Sequence, residues 1–189
     1  MNWMDKLERK FGRFGIENLT VYVIICYVVG YVLMYLNPSL LNMMSLDVAK
    51  IMQGQIWRLV TWVIYPPSTG NFILFLISIA FFYYPVGTSL ERTWGSFRYT
   101  LYIFSGLLFV LIAAFITYFA TGGYVVVDGI AYVIGGGIFT TYYVSLSVFL
   151  AYAASYPDMQ ILLYFVIPIK MKWMAGVYVA IVLYQMITY

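Results

Sequence analysis

The chain has 189 residues, of which 64% are hydrophobic and 9% charged, and its net charge is +3. A water-soluble domain carries about a quarter charged residues, so this composition excludes a soluble fold, and a charge so small and scattered excludes a nucleic-acid partner. There is no histidine, which removes the commonest general base and the commonest zinc ligand; no metal and no cofactor is expected. The single cysteine, Cys26, rules out a disulfide within the chain.

Residues Trp3 to Phe14 read as an amphipathic helix. At about 100° per residue, Trp3, Met4, Leu7, Phe11 and Phe14 share one arc, and Asp5, Lys6, Glu8, Arg9, Lys10 and Arg13 fill the other. Such a helix lies in the membrane interface, and residues 1–18 form a separate N-terminal segment on this reading. A solvated lead-in helix is the alternative. A first span from Leu19 to Leu36 ends at Asn37-Pro38. The connection from Asn37 to Asn71 is apolar, containing Leu40, Leu41, Leu46, Ile51, Trp57 and Trp62, so it is expected on or partly in the membrane.

A second span is predicted from Phe72 to Leu90, with Pro85 and Gly87 loosening its end. Glu91 to Ser96 makes a tight connection to a third span, Tyr99 to Ala120. Thr121-Gly122-Gly123 breaks it, and a fourth span covers Ile130 to Ala154. On that span Gly137, Thr141 and Ser145 recur every four residues, as do Ser147, Ala151 and Ser155, spacing that lets helices approach closely in lipid. Ile161 to Ile169 is too short to span and contains Pro168, so it reads as a segment dipping into the interface. A fifth span begins near Trp173 and runs to Tyr189.

The fold class is therefore an all-α membrane bundle of about five spans. Lys6, Arg9, Lys10, Arg13, Arg92, Arg98, Lys170 and Lys172 fall on one side of it, and Lys50 and Arg58 on the other. The excess of cations places the N-terminus in the cytoplasm.

Trp57-Arg58-Leu59-Val60-Thr61 and Leu90-Glu91-Arg92-Thr93-Trp94-Gly95-Ser96, with one span between them, resemble the rhomboid superfamily. Ser105-Gly106 and the stretch from Phe165 to Lys170 with Trp173 extend the resemblance over residues 19–189. It implies a rhomboid-like transmembrane domain over those residues, whose sixth helix these residues do not include. It also implies a structural brace built from Trp57, Arg58, Glu91, Arg92 and Gly95, in which the buried arginine takes a carboxylate or carbonyl partner. The alternative reading of Arg58 is a snorkelling interfacial residue, with the matching spacing favouring the brace. The loop is also similar to that of the derlins, rhomboid-like proteins without protease activity.

The catalytic parts of the family are missing. Active rhomboids carry Gly-x-Ser-Gly on the fourth span, a histidine on the sixth, and a histidine and asparagine near the oxyanion on the second. A serine hydroxyl needs a base, and the tetrahedral oxyanion needs aimed donors. No Gly-x-Ser-Gly occurs here; the nearest positions are Ser145 and Ser147, without flanking glycines. Counted back from Glu91, the second-span donor positions fall on Phe75 and Ile79. Other chemistries fare no better. Ser145 or Ser147 with Lys170 or Lys172 would require a desolvated lysine, whereas these lysines flank an interface. Asp128 and Asp158 sit at opposite ends of one predicted span, too far apart to share a proton. Gly135-Gly136-Gly137 lacks a following Lys-Ser/Thr and reads as close packing. The ten methionines are scattered, as gap fillers are.

The sequence thus points to a catalytically inactive rhomboid-like protein that binds other transmembrane segments, with membrane lipids and client helices as partners. The alternatives are an active protease whose base lies beyond Tyr189, and a non-enzymatic membrane subunit or carrier. A multi-pass protein of the bacterial plasma membrane is expected. The N-in topology predicts that Asn2→Cys resists an impermeant thiol reagent applied from outside intact cells and reacts once they are permeabilised; labelling in intact cells would reverse the orientation.

Overall fold

The structure is a computed structural model that describes residues 3–66, 72–127, 130–133, 139–163 and 167–188. Most of the described chain is helical. It divides into two compact units, Met1–Ser145 and Leu146–Tyr189.

The first unit opens with α1 (Trp3–Phe11) and a 3-10 turn (Gly12–Phe14). The helix α2 (Leu19–Leu36) follows. Its 18 residues reach about 27 Å, close to the roughly 30 Å of a bilayer's hydrocarbon. The apolar connection is folded rather than loose: α3 (Pro38–Met44), α4 (Val48–Met52) and α5 (Arg58–Thr61) lead into a 3-10 turn at Trp62–Ile64. Proline at the first position of α3 costs no hydrogen bond, and the Asn37 side chain accepts from the Leu40 N–H. Asp47 caps α4 in the same way through the Lys50 N–H.

From Phe72 to Trp94 the chain is helical without interruption, as α6 (Phe72–Ser78), a π-helical turn (Ile79–Tyr83) and α7 (Tyr84–Trp94). The sequence reading loosens this span at Pro85; the structure instead widens one turn and continues. Proline cannot donate to the carbonyl four residues back, and the Tyr84 N–H bonds five back, to Ile79 O. The predicted connection at Glu91–Ser96 shrinks to Gly95, whose φ of +84° and ψ of 151° are open essentially to glycine alone. The next helix, α8 (Ser96–Thr121), has 26 residues.

Side-chain contacts fix the pairing of α2 with the 72–94 helix. Thr20 lies against Gly87, Tyr27 meets the edge of Tyr83 and Tyr31 stacks on Phe75, with ring centroids 4.0 Å apart. Increasing numbers on one helix meet decreasing numbers on the other, so the pair is antiparallel. Thr20 also bonds Tyr99 near the start of α8, at 3.0 Å, which puts the N-terminal ends of α2 and α8 together. The folded connection packs at the other end. Leu46, Val48, Ile51 and Trp62 form a core with Ala114, backed by Leu107, Leu111 and Phe115 of α8. Leu107 is 14 residues before the end of α8, or about 21 Å along its axis. The connection therefore lies beside the helix, well below its end, as the apolar sequence predicts.

One predicted segment differs from the structure. The fourth span was expected over Ile130–Ala154, but α9 is Tyr142–Ser155. Before it, β1 (Tyr124–Val127) pairs antiparallel with β2 (Ile130–Val133), Val127 opposite Ile130. The reason is in the sequence: Val125, Val126 and Val127 favour strand, and Asp128-Gly129 is the strongest two-residue hairpin signal. Thr141 immediately precedes α9 and its carbonyl accepts from the Ser145 N–H at 2.9 Å, so these two follow one another along the helix start, while Gly135, Gly136 and Gly137 lie outside the described residues.

The second unit holds the rest of α9, a hairpin of β3 (Gln160–Leu163) with β4 (Ile167–Lys170), and α10 (Met171–Thr188). The segment expected in the interface, Ile161–Ile169, falls on this strand pair, residues 164–166 lying outside the described residues. Phe149 and Tyr178 rings lie 6.3 Å apart, and Met171 N–H bonds Met159 O at 2.9 Å. The predicted fifth span coincides with α10. Among the described residues α2 and α8 are long and apolar enough to cross a membrane, and α9 and α10 contribute shorter apolar helices.

Gly30 is where α2 meets the connection. A Cβ there would run into the Ile64 carbonyl oxygen and lie 3.0 Å from Pro66 Cδ. Gly30→Ala is expected to destabilise by about 1–3 kcal/mol, the usual cost of overpacking. Gly176→Ala on α10, where a Cβ meets open space, should be neutral or slightly stabilising. Thermal melting in detergent distinguishes them.

Candidate functional site

Arg58 begins α5 and is 1% exposed. Its Nη1 donates to Asn42 O at 2.9 Å and Ser45 O at 2.8 Å, and its Nε to Gln55 Oε1 at 2.7 Å. Thr61, one turn along, donates from its hydroxyl to Met44 O at 3.2 Å. The C-terminal carbonyls of a helix have no partner inside it. Arg58 and Thr61 therefore cap the end of α3, and a cation suits the negative end of the helix dipole. The carbonyl partner anticipated for Arg58 is present; snorkelling is excluded by its burial.

Glu91 is buried near the end of α7. Its Oε1 accepts from the Asn18 backbone N–H. Asn18, in the left-handed conformation at φ 57° that asparagine tolerates better than most residues, is the N-cap of α2. A carboxylate at that end offsets the positive end of the dipole and satisfies an orphan donor. Arg58 and Glu91 are thus two separate caps, each supplied by the second element to the helix terminus of opposite sign.

The remaining motif residues divide. Trp57 is 51% exposed, and the buried indole is that of Trp62, whose Nε1 donates to Leu59 O at 3.1 Å. Arg92 is exposed at the end of α7. Gly95 makes the α7–α8 joint.

Ser145, the nearest position to a nucleophile, has its hydroxyl 3.4 Å from the Tyr27 hydroxyl. Tyr27 is buried and edge-on to Tyr83. The Thr141 hydroxyl close by in sequence is buried with no hydrogen-bond partner among the described residues. Ser147 lies two residues further along α9. Phe75 is buried on Tyr31, and Ile79 packs against the same aromatic cluster. The residues beside Ser145 are therefore phenols and apolar side chains. Asp158 pairs with Lys172 at 3.0 Å and Lys170 at 3.7 Å. The Lys172 hydrogen bond, then the charges of both lysines, hold its carboxyl below the usual range. These pairs are intact at neutral pH and are lost as acidification protonates the carboxylate. Asp128 lies outside the described residues. No group of three or more His, Cys, Asp or Glu able to hold a metal occurs among the described residues.

Sequence reasoning missed Asn18, Thr61, Trp62 and Tyr27. Asn18 immediately before an apolar run is a helix-start signal, and Arg58 with Thr61 has the spacing of one helical turn. Nothing in the sequence marks Tyr27 among 20 tyrosines.

Two helices long and apolar enough to cross a membrane, α2 and α8, fit a helical integral membrane protein. The chain belongs to the family described as eukaryotic integral membrane protein (DUF1751), whose model matches residues 17–189. No curated protein and no solved structure matches the chain. The family is eukaryotic, which corrects the expected bacterial plasma membrane; hydropathy and cation placement report a bilayer and a sidedness, and carry no information about which cell the bilayer belongs to.

Because the two caps share no partner and lie at opposite ends of the first unit, their losses should add to within about 0.5 kcal/mol. Arg58→Ala exposes buried carbonyls at about 1–3 kcal/mol each, and Glu91→Ala removes a cap worth on the order of 1 kcal/mol or more. Melting of both single variants and the double variant in detergent checks this; a double variant no worse than Arg58→Ala would show one coupled brace.

Proposed function

We propose that this protein is a catalytically inactive, rhomboid-like membrane protein whose transmembrane domain binds transmembrane segments of other proteins laterally. The motifs at Trp57-Arg58 and Glu91-Arg92 support the rhomboid-like reading. The observation that carries the loss of catalysis is the surroundings of Ser145. A serine mechanism needs a base and oxyanion donors beside the hydroxyl. Here the Ser145 partner is the Tyr27 phenol, and the expected donor positions hold Phe75 and Ile79, both committed to aromatic packing.

The binding half of the reading is supported by the helix around the π turn. Ile73, Leu76, Ile77, Phe81 and Tyr84 are exposed along it. In a bilayer such a face meets lipid or another helix. A π turn widens the helix locally and often marks a functional position, and here it carries both the exposed Phe81 and Tyr83, which meets Tyr27 edge-on.

A fluorophosphonate probe is expected to leave Ser145 and Ser147 unlabelled, and a helical reporter substrate is expected to remain uncleaved in proteoliposomes. A photo-crosslinker at Leu76 or Phe81 should capture a transmembrane segment. Stoichiometric labelling of either serine, abolished by its change to alanine, would establish an active protease instead. Crosslinks to lipid alone would remove the client-binding half.

A further inference from the structure

The N-terminal helix carries a second surface that the client-binding reading does not use. Lys6, Arg9, Lys10 and Arg13 are all exposed within two turns of α1 and the 3-10 turn after it. Of the two acidic residues on that polar face, Asp5 and Glu8, the latter pairs with Arg98, which binds its Oε2 through Nη2 at 2.8 Å and Nε at 2.9 Å, and Lys10 lies 5.3 Å from the centre of the Phe11 ring. Phe14 is 70% exposed and Phe11 is exposed beside it, their ring centroids 6.3 Å apart.

The segment is held on the first unit at several points. Besides the Glu8–Arg98 pair, the Ile16 N–H donates to Thr100 Oγ1 at 3.0 Å, and the Asn18 N–H to Glu91. A Cβ on Gly15 would lie 2.7 Å from the Phe97 backbone nitrogen, so only glycine lets the chain come this close to the start of α8. The cations are therefore fixed next to the N-terminal ends of α2 and α8, where two apolar helices enter the bilayer.

We propose that α1 and the turn after it form a docking surface for anionic lipid headgroups in the leaflet that the N-terminal ends of α2 and α8 enter. The cations take the phosphate and carboxylate groups, and Phe11 and Phe14 enter the acyl boundary beneath them. An acidic soluble partner would satisfy the cations but leave the phenyl rings in water, whereas the leaflet satisfies both. It is also within reach, since residues 15–18 alone separate the turn from α2.

The test uses the full chain in nanodiscs of mixed phosphatidylcholine and phosphatidylserine, with the lipids retained on the protein counted by native mass spectrometry. Wild type should retain phosphatidylserine in excess over its share of the disc, and raised salt should reduce that excess. The triple variant Lys6→Gln, Lys10→Gln, Arg13→Gln should lose it, by about fivefold for each cation removed, the equivalent of about 1 kcal/mol each. Its melting should match wild type because these side chains are exposed. Lys6→Arg with Lys10→Arg should keep the excess. No excess in wild type, an excess the triple variant retains, or an excess indifferent to salt would each overturn the proposal. So would binding of an acidic peptide that phosphatidylserine does not compete away.

Discussion

The backbone of a membrane protein has no water to fall back on. Every carbonyl left without a partner in the hydrocarbon costs several kcal/mol, and a short helix such as α3 ends in a row of them. The Arg58 guanidinium resolves this for the connection between α2 and the 72–94 helix. One side chain reaches two carbonyls at the end of α3 and a glutamine side chain besides. With those groups satisfied, Leu46, Val48, Ile51 and Trp62 can be laid against α8. The cost of burying the cation is met by three acceptors and by the dipole of the helix it caps. Lysine could not replace it, because an ammonium on a flexible stem lacks the planar fork that reaches separate acceptors.

At the other end of the unit the same logic runs with the opposite sign. Glu91 at the N-terminus of α2, Thr20 on Tyr99, Gly87 against Thr20, and Gly95 at the α7–α8 joint tie three helix ends together. Each contact requires one particular small or polar residue. Between these ends the helices are held by aromatic stacking, which is tolerant of exchange. The specificity of the arrangement is therefore concentrated at helix termini, where backbone groups are unpaired, and the apolar middle supplies contact without direction.

Function follows from what the helices bring to Ser145. On the proposed reading, a Ser145 hydroxyl that faces the Tyr27 phenol, with Phe75 and Ile79 in aromatic packing at the expected donor positions, is a packing contact and not a proton-transfer site. The exposed apolar helix beside it and the basic amphipathic segment at the end of the unit are surfaces of different chemistry. On the two proposals made above, one suits a helix in the bilayer core and the other an anionic headgroup layer.

The sequence by itself determined the membrane class, the bounds of α2, those of α8 and α10 to within about three residues, the amphipathic start, and the apolar character of the connection. Each rests on apolar run length or periodicity, which lipid reads directly. It also flagged Arg58, Glu91 and Gly95, because charges and a motif glycine are conspicuous in so apolar a chain. It misjudged residues 130–133, where apolar content was taken for a span although Asp128-Gly129 between β-branched runs signals a hairpin: hydropathy does not distinguish a strand from a helix. Only the tertiary structure decided that Arg58 and Glu91 cap different helices, that the indole in the core is Trp62 and not Trp57, and that Tyr27 meets Ser145. These depend on the register of α2 against the 72–94 helix and on the close approach at Gly30, contacts between residues far apart in the chain that leave no local periodicity to read.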